Sequence, residues 1–219
     1  MLKIGVLASG GGTNLQAIID AAEAGGLGAE VCVVVSDNPK AGALERAASH
    51  GIPGVVVEKK AFPSRAGFDR EMVRVLKEYG VELVVLAGFM RLLTGDFLKA
   101  FSGRIMNIHP ALLPSFPGLG VQKKAIEHGV RFSGCTVHFV DMGCDTGPII
   151  IQAVVPVLAD DTPDTLAARI LVEEHRIYPR AIRLFSEGRL MVEGRRVLVD
   201  GAPACEGALE NPPPEPGGP

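Results

Sequence analysis

Asn107 and His109 stand two residues apart in Met106-Asn-Ile-His-Pro-Ala-Leu-Leu-Pro114, after a short apolar run. The run predicts a strand, on which side chains two apart point the same way. An amide and an imidazole on one face suit an oxygen that gains negative charge. Ligands of open α/β sheets sit beyond the carboxyl ends of strands, where this pair falls, although the pair could also satisfy a buried turn. A second segment, Asp141-Met-Gly-Cys-Asp-Thr-Gly-Pro148, places Asp141 and Asp145 on a loop whose glycines and proline imply a fixed backbone path. A carboxylate brought near His109 would orient the ring and favour its charged form. Calcium is a rival use, but two acids without EF-hand spacing fit it poorly, and a plain turn is a third. His138, on the preceding run, could face the same cleft or be structural.

Ser9-Gly-Gly-Gly-Thr-Asn14 lies between the first apolar run and the first helical period. Its glycines let backbone N–H groups approach a ligand, and the helix N-terminus behind favours an anion. Leu15 stands where the dinucleotide fingerprint needs its third glycine, and no Walker lysine follows. A phosphate monoester fits better, and the rival is a tight turn capped by Thr13 or Asn14. Glu174 falls on the apolar stripe Leu166, Ile170, Ile177, Ala181 of a long helix. A buried acid is costly unless paired or used, so it either binds ligand hydroxyls or an amine, or pairs with an arginine. Leu86-Ala-Gly-Phe-Met-Arg-Leu-Leu93 is an apolar turn with one charge. A flat aromatic ligand could lie there against Met90, Leu92 and Leu93, or the segment is ordinary core. Arg65, in a loop, could meet a ligand carboxylate.

Short strand-like runs alternate with helical periods and must carry these segments. Leu2–Ala8, Glu30–Val35, Gly54–Val57, Glu82–Leu86 and Arg104–Ile108 read as strands; helices fall after the first, over 41–50, and along Phe68, Met72, Val75, Leu76 and Tyr79. The alternation implies an α/β, doubly wound, mostly parallel sheet, with a Rossmann-like N-terminal half over 1–100. The half over 101–200 is mixed: Phe132–Val140 and Ile149–Val155 pair closely, Thr162 and Pro163 open a long helix, and 189–199 form a hairpin. One domain over 1–200, with one continuous sheet, is expected.

Of the 219 residues, 27 are Gly and 16 are Pro, far above average usage. Six of those prolines and four glycines fall in 201–219, which is expected to be a disordered tail. That tail carries three Glu and no Lys or Arg, so the net charge of −3 is its alone; the body holds 22 acids and 22 bases. A neutral body with 5% aromatics argues against nucleic-acid binding. Cys32, Cys135, Cys144 and Cys205 show no zinc spacing, and no apolar run spans a membrane. The first strand is broken too soon for a signal peptide. A reduced, cytoplasmic protein is expected, as a monomer or homodimer.

Taken together, Ser9-Gly-Gly-Gly-Thr-Asn-Leu-Gln16, Leu86-Ala-Gly-Phe-Met-Arg91, Asn107-Ile-His-Pro110 with Leu112-Leu-Pro114, and Asp145-Thr-Gly-Pro148 resemble the phosphoribosylglycinamide formyltransferases, folate-dependent enzymes of purine biosynthesis. The resemblance runs from Ile4 to about Val199 and implies the formyltransferase fold. It implies that Asn107, His109 and Asp145 are catalytic, and that Gly12, Thr13, Asn14 and Glu174 bind glycinamide ribonucleotide. Arg65, Met90, Arg91, Leu92, Leu93, Asn107, Val140, Asp141 and Asp145 would bind 10-formyltetrahydrofolate as cosubstrate, with no metal. In such enzymes the glycinamide amine attacks the formyl carbon, and Asn107 and a protonated His109 would stabilise the oxyanion. The chain departs from the family at Leu171, where a polar residue commonly helps hold the ribose, and at Ala111, often Ser. A formyltetrahydrofolate hydrolase shares the Asn/His/Asp set but usually adds an N-terminal regulatory domain, and this sequence begins at its first strand. Methionyl-tRNA formyltransferases need a further C-terminal module and a basic surface. A sugar-phosphate binding protein would explain the glycine loop alone.

Overall fold

The computed structural model describes residues 1–202 and the single positions Gly207, Leu209 and Asn211. Most of the tail expected over 201–219 lies outside the described residues, as does Cys205. The first half alternates β1 (Leu2–Leu7), α1 (Thr13–Glu23), β2 (Ala29–Ser36), α2 (Gly42–Ser49), β3 (Gly54–Val56), α3 (Arg65–Glu78), β4 (Leu83–Leu86), α4 (Gly95–Ala100) and β5 (Ile105–His109). The second half adds α5 (Val121–Glu127), β6 (Phe132–Phe139), β7 (Ile149–Pro156), α6 (Pro163–Ser186), β8 (Leu190–Glu193) and β9 (Arg196–Val199).

The nine strands form one sheet in the order β3-β2-β1-β4-β5-β6-β7-β9-β8. Strands β1 to β5 run parallel. Strand β6 turns antiparallel to β5, and β7 to β6. Successive side chains alternate between two cores, as strands buried on both faces require. Val34 and Val85 feed the core under α1, α2 and α6, while Val33, Val35 and Val84 feed the core with Phe68 and Met72 of α3 and Phe97 of α4. The order reverses at β1, whose neighbours are β2 and β4. A crevice at the carboxyl ends of β1 and β4 follows from that reversal. Among the described residues, no helix is long and apolar enough to cross a membrane.

Two local features shape what borders the crevice. Gly12 is the N-cap of α1 at φ 74°, a left-handed conformation, and a Cβ there would stand 2.7 Å from the Cα of Ala43. Only glycine allows this approach of α1 to α2. Neither Thr13 nor Asn14 caps the helix, and no side chain does. Helix α6 starts as expected: Thr162 Oγ1 accepts from the Thr165 N–H at 3.2 Å, Thr165 Oγ1 accepts from the Thr162 N–H at 2.9 Å, and Pro163 follows the cap. The short helices α4 and α5 are additions to the sequence reading. Each buries only one or two side chains, Phe97 in one and Val121 and Ala125 in the other, so neither carries a readable stripe.

Candidate active site

A cavity of about 780 Å³ opens at the carboxyl ends of β1, β4 and β5. Asn107, His109, Asp145, Asn14, Glu174, Arg65, Val140, Asp141 and the segment Met90 to Leu93 all line it. Of the residues singled out in the sequence, Gly12 and Thr13 stand apart from this lining, at the start of α1. Large apolar side chains stay in solvent around the mouth: Met90 is 70% exposed, Leu119 77% and Met142 78%. Exposed apolar groups gathered at a concave site mark a place for a flat apolar ligand.

Strand β5 carries Asn107 and ends at His109. His109 is buried, and both its ring nitrogens are engaged. Nε2 lies 2.9 Å from the Phe116 carbonyl, to which it must donate. Nδ1 therefore faces Asp145 Oδ2, 3.4 Å away. The Asp145 carboxylate opposite Nδ1 orients the ring. The same Oδ2 accepts the Gly118 N–H at 2.9 Å, so one loop, 114–120, ties both members of the pair. Asp145 has φ 56°, in the left-handed region that Asp tolerates better than most residues.

His138 faces this cleft from β6, in register with Asn107. Its Nδ1 lies 2.8 Å from its neighbour's carbonyl, that of Phe139, and donates to it. Nε2 is then an acceptor, and takes a hydrogen bond from Asn107 Nδ2 at 3.2 Å. Burial holds His138 below the usual histidine range, outweighing the Phe139 carbonyl and Asp145, which favour the charged ring. A neutral His138 thus fixes which end of the Asn107 amide carries the donor, and leaves its second N–H for the cavity.

Glu174 reaches the cavity from α6 without an arginine. Its Oε2 accepts from Asn14 Nδ2 at 2.7 Å. Burial pushes the Glu174 carboxyl up, against the pull of Asn14 and His109. Asn14 Oδ1 is buried without a partner among the described residues. Leu171, one turn earlier, lies outside the cavity lining.

The segment Gly88 to Thr94 is braced from several sides. Ser9 Oγ accepts the Met90 N–H at 3.2 Å, and the buried Asp69 accepts the Thr94 N–H at 2.6 Å. Arg65 donates to the Leu92 carbonyl. Arg91 pairs with Asp37 and lies 5.9 Å above the Phe68 ring centroid. The Arg91 guanidinium therefore secures the loop, while the residue also lines the cavity. Asp141 likewise shapes its own loop, accepting from the Gly143 N–H at 3.0 Å and Thr146 Oγ1 at 2.6 Å.

Gly147 shows why Asp145-Thr-Gly-Pro148 needs its glycine. A Cβ there would stand 1.8 Å from the Phe139 carbonyl oxygen. Gly147→Ala is expected to push the loop off β6, at a cost of about 3 kcal/mol. Calorimetry should read this as a fall in Tm of roughly 10 °C. Among the described residues, no group of three or more His, Cys, Asp and Glu side chains is gathered as a metal site. Cys32, Cys135 and Cys144 are free thiols.

The sheet with its switch at β1 and the cavity over that switch belong to the architecture of the formyl transferases. The chain belongs to the formyl transferase family, whose profile matches residues 2–182. It is 44% identical over 200 residues to phosphoribosylglycinamide formyltransferase of Escherichia coli (strain K12), covering 91% of this chain and 94% of that protein. The crystal structure of glycinamide ribonucleotide transformylase 1 from Symbiobacterium toebii superposes with a TM-score of 0.90 at 57% identity, covering 91% of this chain and 94% of that one. The trifunctional purine biosynthetic protein adenosine-3 of Drosophila melanogaster is 50% identical over 192 residues, which is 87% of this chain and 14% of that protein. The chain thus spans about a seventh of the length of that trifunctional relative.

Proposed function

We propose that residues 1–200 form one catalytic domain that transfers the formyl group of 10-formyltetrahydrofolate to the amine of 5-phosphoribosylglycinamide. The observation that carries this is the convergence of Asn107, His109 and Asp145 on one wall of a cavity whose other wall holds Asn14 and Glu174. The backbone N–H groups of Gly12 to Asn14, on a helix start without a side-chain cap, hold the ribose phosphate. Glu174 and Asn14 hold the sugar and glycinamide end. Met90 to Leu93, Arg65 and the loop from Val140 to Asp145 hold the folate, whose flat ring suits the apolar mouth.

The uncharged amine attacks the formyl carbon, and the C–N bond to the new acceptor forms as the carbonyl oxygen becomes an oxyanion. The free N–H of Asn107 donates to that oxygen. His109 contributes charge, since its ring nitrogens are already engaged. As the bond to N10 breaks, the amine proton passes by way of Asp145 and water to N10. Two reactants held in one cleft convert an encounter into a local event, the source of much of the acceleration.

The test is to mix the protein with 10-formyltetrahydrofolate, with and without the ribonucleotide, and follow tetrahydrofolate. Release only with the ribonucleotide is expected. Release with water alone would make the protein a hydrolase, and no release in either case would leave only binding.

Glu174→Gln separates binding from stability. Losing a charged hydrogen-bond acceptor costs about 1.5–3 kcal/mol, so KM for the ribonucleotide should rise roughly 10- to 100-fold while kcat changes little. The folded protein holds a proton on Glu174 more tightly than the unfolded chain, because its carboxyl is raised by burial. Its charge therefore destabilises the fold above the raised value, and that penalty is relieved as pH falls through it. Glu174→Gln should accordingly be at least as stable as the parent at pH 7, with the difference shrinking toward acid. Thermal midpoints across that range check the sign.

A further inference from the structure

One buried side chain has no part in the reaction above, yet ties together the segments that carry it. Tyr178 of α6 is fully buried. Its hydroxyl lies 3.0 Å from the Leu86 carbonyl oxygen and 3.0 Å from the Met106 carbonyl oxygen. With a single proton, it donates to both as a shared bond. Leu86 ends β4 and leads straight into the braced segment; Met106 immediately precedes Asn107 on β5. Leu86 and Asn107 are themselves paired in the sheet. One turn earlier on the same face of α6, Glu174 accepts from Asn14 at the start of α1.

We propose that Tyr178 is a positioning residue for formyl transfer, whose hydroxyl fixes the end held by Glu174 relative to the folate segment and Asn107. The inference rests on the transferase reading above. Around this turn α6 packs on the sheet through apolar Leu166, Ile170, Ile177, Ala181 and Ile182, while its other directional bonds to backbone lie toward its ends, from Arg169 to the Pro156 carbonyl and from Ser186 to the Leu27 carbonyl. Apolar packing is non-directional and does not by itself set a helix to within tenths of an ångström. The helix backbone is also weakened at this turn, because Pro179 offers no N–H to the His175 carbonyl. A directional tether is placed where the helix needs one. Reacting atoms must approach to about 3–3.5 Å, and a 1 Å misplacement can cost about 10²-fold. A slip of a few tenths of an ångström should then cost about tenfold.

The experiment is steady-state kinetics of the full chain and Tyr178→Phe, each with and without Glu174→Gln. Phenylalanine keeps the volume and removes only the hydroxyl. The expected result is kcat about tenfold lower for Tyr178→Phe, with both KM values within threefold and an unchanged circular dichroism spectrum. In the Glu174→Gln background the same substitution should cost less than threefold in kcat/KM, since the end it aligns is no longer held. A purely structural tyrosine would cost the same factor in both backgrounds, and that result overturns the proposal. So does a kcat within twofold of the parent, or a loss carried by KM. An unsubstituted protein that releases no tetrahydrofolate with the ribonucleotide would instead overturn the transferase reading, and this inference with it.

Discussion

Asparagine in place of Asp145 is expected to lower kcat by about 10³-fold while leaving the fold in place. The residue sits at φ 56°, and asparagine tolerates that conformation as well as aspartate does. The Gly118 N–H keeps an oxygen to donate to. What disappears is a negative charge 3.4 Å from His109 Nδ1. A positioned acid–base group typically contributes about 10²–10⁴-fold to rate, and a loss near 10³ lies in the middle of that range. The variant also loses the carboxylate that relays the amine proton. Single-turnover measurement of formyl transfer, beside a thermal midpoint within a few degrees of the parent, checks both halves. A kcat within tenfold of the parent would remove Asp145 from the mechanism.

Asn107→Ala is the second large effect. One N–H of its amide is committed to His138 Nε2, 3.2 Å away, and the other is free to meet the oxyanion. Loss of one such donor typically costs about 10²–10³-fold in kcat. The interaction exists only once the oxygen carries charge, so kcat and kcat/KM should fall together and KM should barely move. Alanine also leaves the buried His138 nitrogen without its partner, a cost of about 1–3 kcal/mol in stability. The kinetics must therefore be read well below the new midpoint. A rise in KM at unchanged kcat would make Asn107 a binding residue instead.

The parallel half of the sheet was legible because its evidence is local. Valine-rich runs such as Glu30–Val35, short and β-branched, favour strands of a covered sheet, and the intervening stripes have helical spacing. Thr162 and Pro163 mark the start of α6 through groups within one turn of each other. Asn107 and His109 share a face because alternation along a strand is a property of two residues. Glu174 stood out for the same reason, as an acid on an apolar stripe. Helices α4 and α5 escaped notice because seven residues or fewer hold too few buried positions to repeat.

The partners of those residues were a different matter. Glu174 could have met an arginine, and meets Asn14, 160 positions away. Arg91 had no partner readable from its neighbours, and its charge meets Asp37 across the switch point. His138 could have been structural. The antiparallel register of β6 on β5 sets it beside Asn107, and its own backbone neighbour fixes its tautomer. The loop 114–120 holds His109 through a carbonyl and Asp145 through an N–H, and neither contact depends on side-chain identity. The sequence by itself determined which elements form, which residues have reactive side chains and which faces they share, since these follow from neighbours within a turn or a strand. Tertiary structure alone decided the partner, tautomer and charge of each, because those depend on strand register and loop path, set by packing between residues remote in the chain.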